Sequence, residues 1–406
     1  MLRRYGIPMN TGETADAATG GEPAGLAGPP VYLDYNATTP VDPQVVEAML
    51  PYFGAHFGNP SSAHSYGQRP RAALARARAQ VAALIGAAPA EILFTGSGSE
   101  ADATAIRGVV TMAVRGGVGR PHVVTQATEH PAVLAACGYV RDHHGAEVTV
   151  LGVDARGLVD PRELAAALRP ETVLVSIMHA NNETGVLQPI AELAGITRGH
   201  GALFHTDAAQ AVGKIPVDVS GLGVDLLTLV GHKFYAPKGV GALYIREGVA
   251  LEALIGGGGQ EQGRRAGTEN VPYTVALGAA AELAMADLAA GSADRLAGLR
   301  DRLQRELQMR LPGRMHTNGS DAPRLPQTLN ISIDGTRGHA VLAACPDLAA
   351  STGSACHAGE HRPSPVLAAM GVDEERGLAA LRLSLGRWST EADVLTAAKA
   401  IAEAAG

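Results

Sequence analysis

Lys233 stands in VGHKFYAPKG, just past the apolar run 225–230. Lysines are seldom set against a core without a partner or a task. One at the end of a buried strand can condense with a carbonyl cofactor, although a surface lysine just past a strand has the same sequence context. Asp207, in FHTDAAQ, also ends an apolar run. Its carboxylate can hold a protonated ring nitrogen or cap the Ala-Ala-Gln segment that follows. Gly96-Ser97-Gly98-Ser99-Glu100 lies between an apolar run and a helical one. Free N–H groups at such a turn cradle an anion, although an ordinary tight turn has the same composition. The segment is neither GxxxxGK[ST] nor GxGxxG.

Three further groups could act on a small charged substrate. Arg382 sits inside the strand-like LRLSL, where a guanidinium requires an anion to meet. Asn181 and Asn182 follow another apolar run in HANNETG, and Arg265 lies in GRRAGTEN. Both asparagines also suit a turn. Cys356, in STGSACHAGEHRPSP, has small neighbours with His357, His361 and Arg362 close in sequence. That setting suits an exposed thiol of lowered pKa better than a packed one. Cys137 in VLAACGYV and Cys345 in VLAACPDL read as inert core cysteines.

The elements that must position these groups follow from the apolar pattern. Short apolar runs at 91–95, 121–126, 147–153, 172–180, 202–208, 225–232 and 241–246 alternate with alanine-rich helical stretches. The runs at 172 and 225 are nearly continuous, as in strands covered on both faces of a mainly parallel α/β sheet. The candidate residues follow strand ends, where such sheets bind ligands. Ahead of them, 31–40 reads as a short strand and turn, a helix starts near Asp42-Pro43, and a second runs through about 68–86. After about 280 the character changes. A long helix over roughly 280–310 leads to strands at 328–334 and 381–385 and a last helix over about 390–404. Residues 1–30, rich in Gly, Ala, Pro and Thr, read as a flexible arm.

Composition excludes several classes. Lys+Arg 33 against Asp+Glu 40 gives a net charge of -7, against direct nucleic-acid binding. Cys 3 is too few for a disulfide framework, and no zinc-like cluster occurs. No apolar stretch is long enough for a membrane span, and no apolar h-region follows the first arginines. A cytoplasmic protein is expected.

The blocks LDYNATTPVDP, FGNPSS, NNETG, HTDAAQ, GHKFYAPKG, RRAGTEN, GSAC and LRLSLGR occur together, in order, between about 32 and 394. In them the chain resembles the class V aminotransferase family of fold type I, and within it the cysteine desulfurases. The resemblance implies a large domain with a mainly parallel sheet at 31–280, its first residues packing with the second unit. It implies a smaller α+β domain at 281–406 carrying the cysteine loop. It also implies a homodimer with pyridoxal 5'-phosphate near the subunit interface. Lys233 matches the family's Schiff-base lysine, Asp207 the partner of the pyridine nitrogen, and His130, in TEHPAV, the residue stacked on the ring. Gln210 matches the group near the cofactor O3′. Gly98, Ser99 and His232 match phosphate contacts, and Thr268 a contact from the partner subunit. Asn36, Asn182 and Arg382 match substrate contacts, and Cys356 the nucleophile.

The implied activity converts L-cysteine to L-alanine. Sulfur passes to Cys356 as a persulfide and on to an acceptor protein, such as an iron–sulfur scaffold or a sulfur relay. Two departures stand out. Val230 replaces a usual serine, and Gly98-Ser99 replaces Ala-Thr. Val230, GGGQE and ACHAGEHRPSPVL also resemble selenocysteine lyase, which keeps release of selenium from L-selenocysteine as the alternative.

Overall fold

The computed structural model describes residues 21–26, 28–353 and 362–406. Most of the expected N-terminal arm, and Cys356 with His357 and His361, lie outside the described residues. The strands among those described are β1 (Val31–Tyr32), β2 (Ile92–Thr95), β3 (His122–Gln126), β4 (Glu147–Leu151), β5 (Thr172–Ser176), β6 (Leu203–Asp207), β7 (Leu226–Val230), β8 (Gly241–Ile245), β9 (Met315–Thr317), β10 (Thr328–Ile333), β11 (Leu348–Ala349) and β12 (Ala380–Ser384).

A seven-stranded sheet runs in the order β2-β8-β7-β6-β5-β3-β4. Its pairings from β7 across to β4 are parallel, and β8 lies antiparallel to both β7 and β2. Successive side chains on a strand point to opposite faces, and β8 divides accordingly. Ala242 and Tyr244 enter one core, Leu243 and Ile245 the other. Helices Gly98–Arg115 and Pro131–His144 close one face with Ala105, Ile106, Val109, Val133 and Val140. Helices Ser65–Leu84, Ile190–His200 and Val271–Ala289 close the other. Burial on both faces is why the strands read as continuous apolar runs rather than alternating ones.

A second core lies around the antiparallel sheet β12-β10-β9, covered by helices Ser292–Arg310 and Glu391–Ala405. β1 pairs in parallel with β11, and Leu33 packs into this second core. β1 and Leu33 therefore lie beside the C-terminal third of the chain.

The single helix expected over roughly 280–310 is two helices, Val271–Ala289 and Ser292–Arg310, bent by 71° at the break. Gly291 adopts a left-handed φ of 81° there, which glycine accepts without strain. The physical reason is that the halves serve different cores: Ala276, Leu277 and Ala281 the larger, Leu296, Leu303 and Leu307 the second. No single helix among the described residues is long and apolar enough to cross a membrane.

Candidate active site

The carboxyl ends of the parallel strands open into one cavity of about 550 Å³. Ser97 to Ser99 follow β2, His130 follows β3, Asn182 follows β5, Asp207 ends β6 and Lys233 follows β7. Arg382, on β12, and Asn36, just after β1, reach the same cavity from the second core's side. Side chains from separate strand ends thus converge on one cavity, where such sheets bind ligands.

One end of the cavity is built for an anion. Ser97 caps the helix Gly98–Arg115, its Oγ accepting from Glu100 N–H at 3.1 Å. The N–H groups of Gly98 and Ser99 precede the first intrahelical bond, from Ala101 to Ser97. Both residues line the cavity at the positive end of the helix dipole. Arg265 does not enter this cradle. Its Nε bonds Glu100 Oε1 at 2.9 Å, while Glu100 Oε2 accepts from Gly96 N–H at 2.8 Å, which fixes the turn. Position 98 must be glycine here, because a Cβ would lie 2.4 Å from Val230 Cγ2. The two departures from the family pattern are therefore one feature: the larger residue on β7 occupies the space that a methyl at position 98 would need. His232 Nδ1 lies 3.1 Å from Thr38 Oγ1. Burial, and after it Lys233 and two other lysines, lower its pKa to about 4, so the ring is neutral.

Lys233 Nζ donates to the main-chain oxygens of Asn36 and Ala37, each at 2.8 Å. Burial, then Arg382, push its pKa down to about 8 against the opposing pull of Asp207 and Asp34. An amine so placed has a usable neutral fraction near physiological pH. Asp207 is buried, with Oδ1 accepting from Ala209 N–H at 2.9 Å. Asp207 therefore caps the next turn and also lines the cavity. Burial raises its pKa, while the Ala209 bond and then His130 and Lys233 oppose that rise. His130 caps the helix Pro131–His144, its Nδ1 accepting from Ala132 N–H at 3.2 Å.

Arg382 is 5% exposed. Its Nη1 donates to Asn182 O at 3.2 Å and its Nη2 to Asp34 Oδ1 at 2.8 Å, while its buried Nε has no partner. A buried guanidinium on a cavity wall suits a carboxylate. Gln210 Nε2 donates to Asn36 O at 2.9 Å, and Lys214 Nζ donates to Gln210 Oε1 at 2.5 Å. Asn36 differs from the expectation of a substrate contact. Its amide donates to Asn182 O and Thr328 Oγ1 and accepts from Gln327 Nε2, so its side chain holds Asn182 in place. Thr268 is exposed and lies outside the cavity wall. Asn181 is a turn former, its Oδ1 accepting from the N–H groups of Glu183 and Thr184 at 2.9 Å each.

The aminotransferase class-V family model matches residues 31–396. The chain belongs to the class V aminotransferase family. Within it, the chain falls among the cysteine desulfurases. It is 47% identical over 368 residues to a cysteine desulfurase IscS of Anaeromyxobacter dehalogenans, covering 90% of each chain. Among solved structures it is similar to a NifS-like protein, with a TM-score of 0.84 and 37% identity over 92% of this chain and 98% of that one. It is also similar to the structure titled SspA in complex with cysteine, with a TM-score of 0.77 and 35% identity over 88% and 99%. The sheet order and the second α+β core are the fold type I architecture that the sequence implied.

Sequence reasoning missed three groups at this site. Asp34 is the carboxylate that steadies Arg382. Lys214 fixes the orientation of the Gln210 amide. Asp102, one helical turn beyond Gly98, lines the cavity beside Asp207. An acidic residue four places after a cradle glycine, in an alanine-rich helix, was the available signal for the last.

Proposed function

We propose that this protein is a pyridoxal-phosphate-dependent cysteine desulfurase, forming L-alanine from L-cysteine and passing the sulfur through Cys356 to an acceptor protein. The observation that carries this reading is the convergence of Lys233, Asp207 and Arg382 on one cavity with an anion cradle at its end. The residues fit the cofactor. The Gly98 and Ser99 N–H groups suit its phosphate, Asp207 its ring nitrogen, Gln210 its phenolic oxygen and Lys233 its aldehyde. His130 stands where it can cover the ring. When bound, pyridoxal phosphate withdraws electrons from the substrate's α-carbon.

Arg382, steadied by Asp34 and Asn182, binds the substrate carboxylate and fixes the amine toward Lys233. Lys233, partly neutral, takes the α-proton and returns it. The Cys356 thiolate attacks the substrate sulfur, the carbon–sulfur bond breaks with its electron pair left on carbon, and Cys356 retains the sulfur as a persulfide. Transfer to an iron–sulfur scaffold or sulfur relay protein follows from the same reading.

A homodimer belongs to this proposal. Leu50, Phe53, Phe57 and Tyr66 are all more than half exposed, and a second copy of the chain would cover such a surface. Thr268, outside its own cavity, is then free to meet the partner's phosphate. A cytoplasmic location is part of the proposal, supported by Cys137 and Cys345 as buried free thiols.

Selenocysteine lyase is the second reading, supported by Val230 at the cradle. Alanine release from cysteine and from selenocysteine, measured side by side with a reductant, separates the two. Efficient release from cysteine supports the desulfurase. Turnover of selenocysteine alone overturns it in favour of the lyase.

A further inference from the structure

Asp102 is 1% exposed, its Oδ1 is buried without a hydrogen-bond partner, and it lines the cavity. One ligating atom each of Asp102, Asp207 and His130 lie within 4.8 Å of one another. No charge near Asp102 compensates its own. Its nearest basic group is His205 Nε2, 3.7 Å from Oδ1. That imidazole is fully buried, with Nδ1 on Ser176 Oγ at 2.8 Å and Nε2 on Thr228 Oγ1 at 3.1 Å. Burial lowers its pKa to about 3, so it stays neutral. The other groups facing Asp102 are His130, whose imidazole burial pushes toward its neutral form, Asp207 on β6, Glu129 after β3, and Thr228 on β7. Asp207, in contrast, has the Ala209 N–H and also faces Lys233.

We infer that Asp102 carries a proton, so that the buried pair of Asp102 and Asp207 presents one negative charge, on Asp207, to the group bound over it. Two carboxyls so close and so buried cannot both ionise. The proton settles on the member without a cationic neighbour. Burial, and after it the Asp207 and Glu129 charges, raise the Asp102 pKa well above the ordinary range. The helix dipole at Gly98 acts the other way but only weakly against burial. Asp102 is thus a positioning residue, holding the charge on Asp207 at one unit. This inference rests on the cofactor reading for its function, not for the proton itself.

Two measurements on Asp102→Asn test it. The infrared difference between wild type and variant at pH 8 should contain a deuterium-sensitive band of a protonated carboxylic acid. The pH midpoint of the bound cofactor's visible absorption should stay within about 0.3 unit of wild type, because Asn replaces a neutral acid. A fall of about one unit in that midpoint, with no carboxylic-acid band lost, overturns the inference. If the variant does not fold, wild type made with ¹³C-carboxyl aspartate decides. A protonated-acid band that moves with the label upholds the inference, and none moving refutes it. Absence of any visible cofactor absorption would count against the cofactor reading while leaving both infrared results valid.

Discussion

Alanine at position 98 would place a methyl 2.4 Å from Val230 Cγ2. Neither side can easily give way. Val230 lies on the interior strand β7, is 7% exposed, and has the stiff χ1 of a β-branched side chain. Position 98 opens the helix Gly98–Arg115, whose N–H groups must keep their aim. Overpacking of this kind costs about 1–3 kcal/mol. Against it, alanine gains about 0.5–1 kcal/mol over glycine in a helix. The net effect of Gly98→Ala is a loss of about 1–2 kcal/mol, with weaker cofactor retention as the cradle shifts. In a Val230→Ala background the clash is gone, and the same change should be neutral or stabilising by about 0.5 kcal/mol. Urea unfolding of the four proteins of this cycle, at one fixed cofactor concentration, gives a coupling energy of about 1–3 kcal/mol. Equal losses in both backgrounds would refute the claim that Val230 and Gly98 fit each other.

Three further outcomes are expected. Arg382→Ala should lower kcat/KM for cysteine by ~30- to 1,000-fold, about 2–4 kcal/mol, mainly through KM, because it removes the carboxylate partner and strands Asp34; a fall confined to kcat would contradict that role. Lys233 titrates at about 8 when folded against 10.5 in a free chain. The unfolded state therefore binds more protons between those values, and stability of the cofactor-free protein should rise with pH through that window. Against Lys233→Met the relative gain is about 3 kcal/mol, and urea unfolding at pH 7.5 and 10.5 reads it; parallel pH profiles would refute the buried, depressed lysine. Charging the exposed Phe53 and Phe57 together to lysine should convert a dimer to monomers in sedimentation; an unchanged mass would place the subunit contact elsewhere.

Much of this site is legible in the sequence. The strands of the large sheet announced themselves because both their faces are buried, as in β7 with every residue covered. Ligand residues at strand ends followed from that topology. What stayed hidden depends on contacts distant in sequence. Asn36 looked like a substrate contact, yet its amide is consumed by Gln327 and Thr328, 291 and 292 residues away. The break at Gly291 was masked because alanine-rich sequence on one side and a well-formed helix on the other read as one run. Gly98 and Val230 were visible only as two separate departures; their complementarity is a distance. Asp102 was hidden by its alanine-rich helix, since only packing shows which face meets Asp207.

The central claim is that sulfur leaves the substrate onto Cys356. The direct measurement is the mass of the protein after reaction with one equivalent of cysteine without reductant, with peptide mapping of the thiols. The account predicts one added sulfur, on Cys356, with stoichiometric alanine. It also predicts that Cys356→Ala gains none and forms no alanine from cysteine while keeping wild-type cofactor absorption. Sulfur on Cys137 or Cys345, or undiminished cysteine turnover by Cys356→Ala, would contradict it.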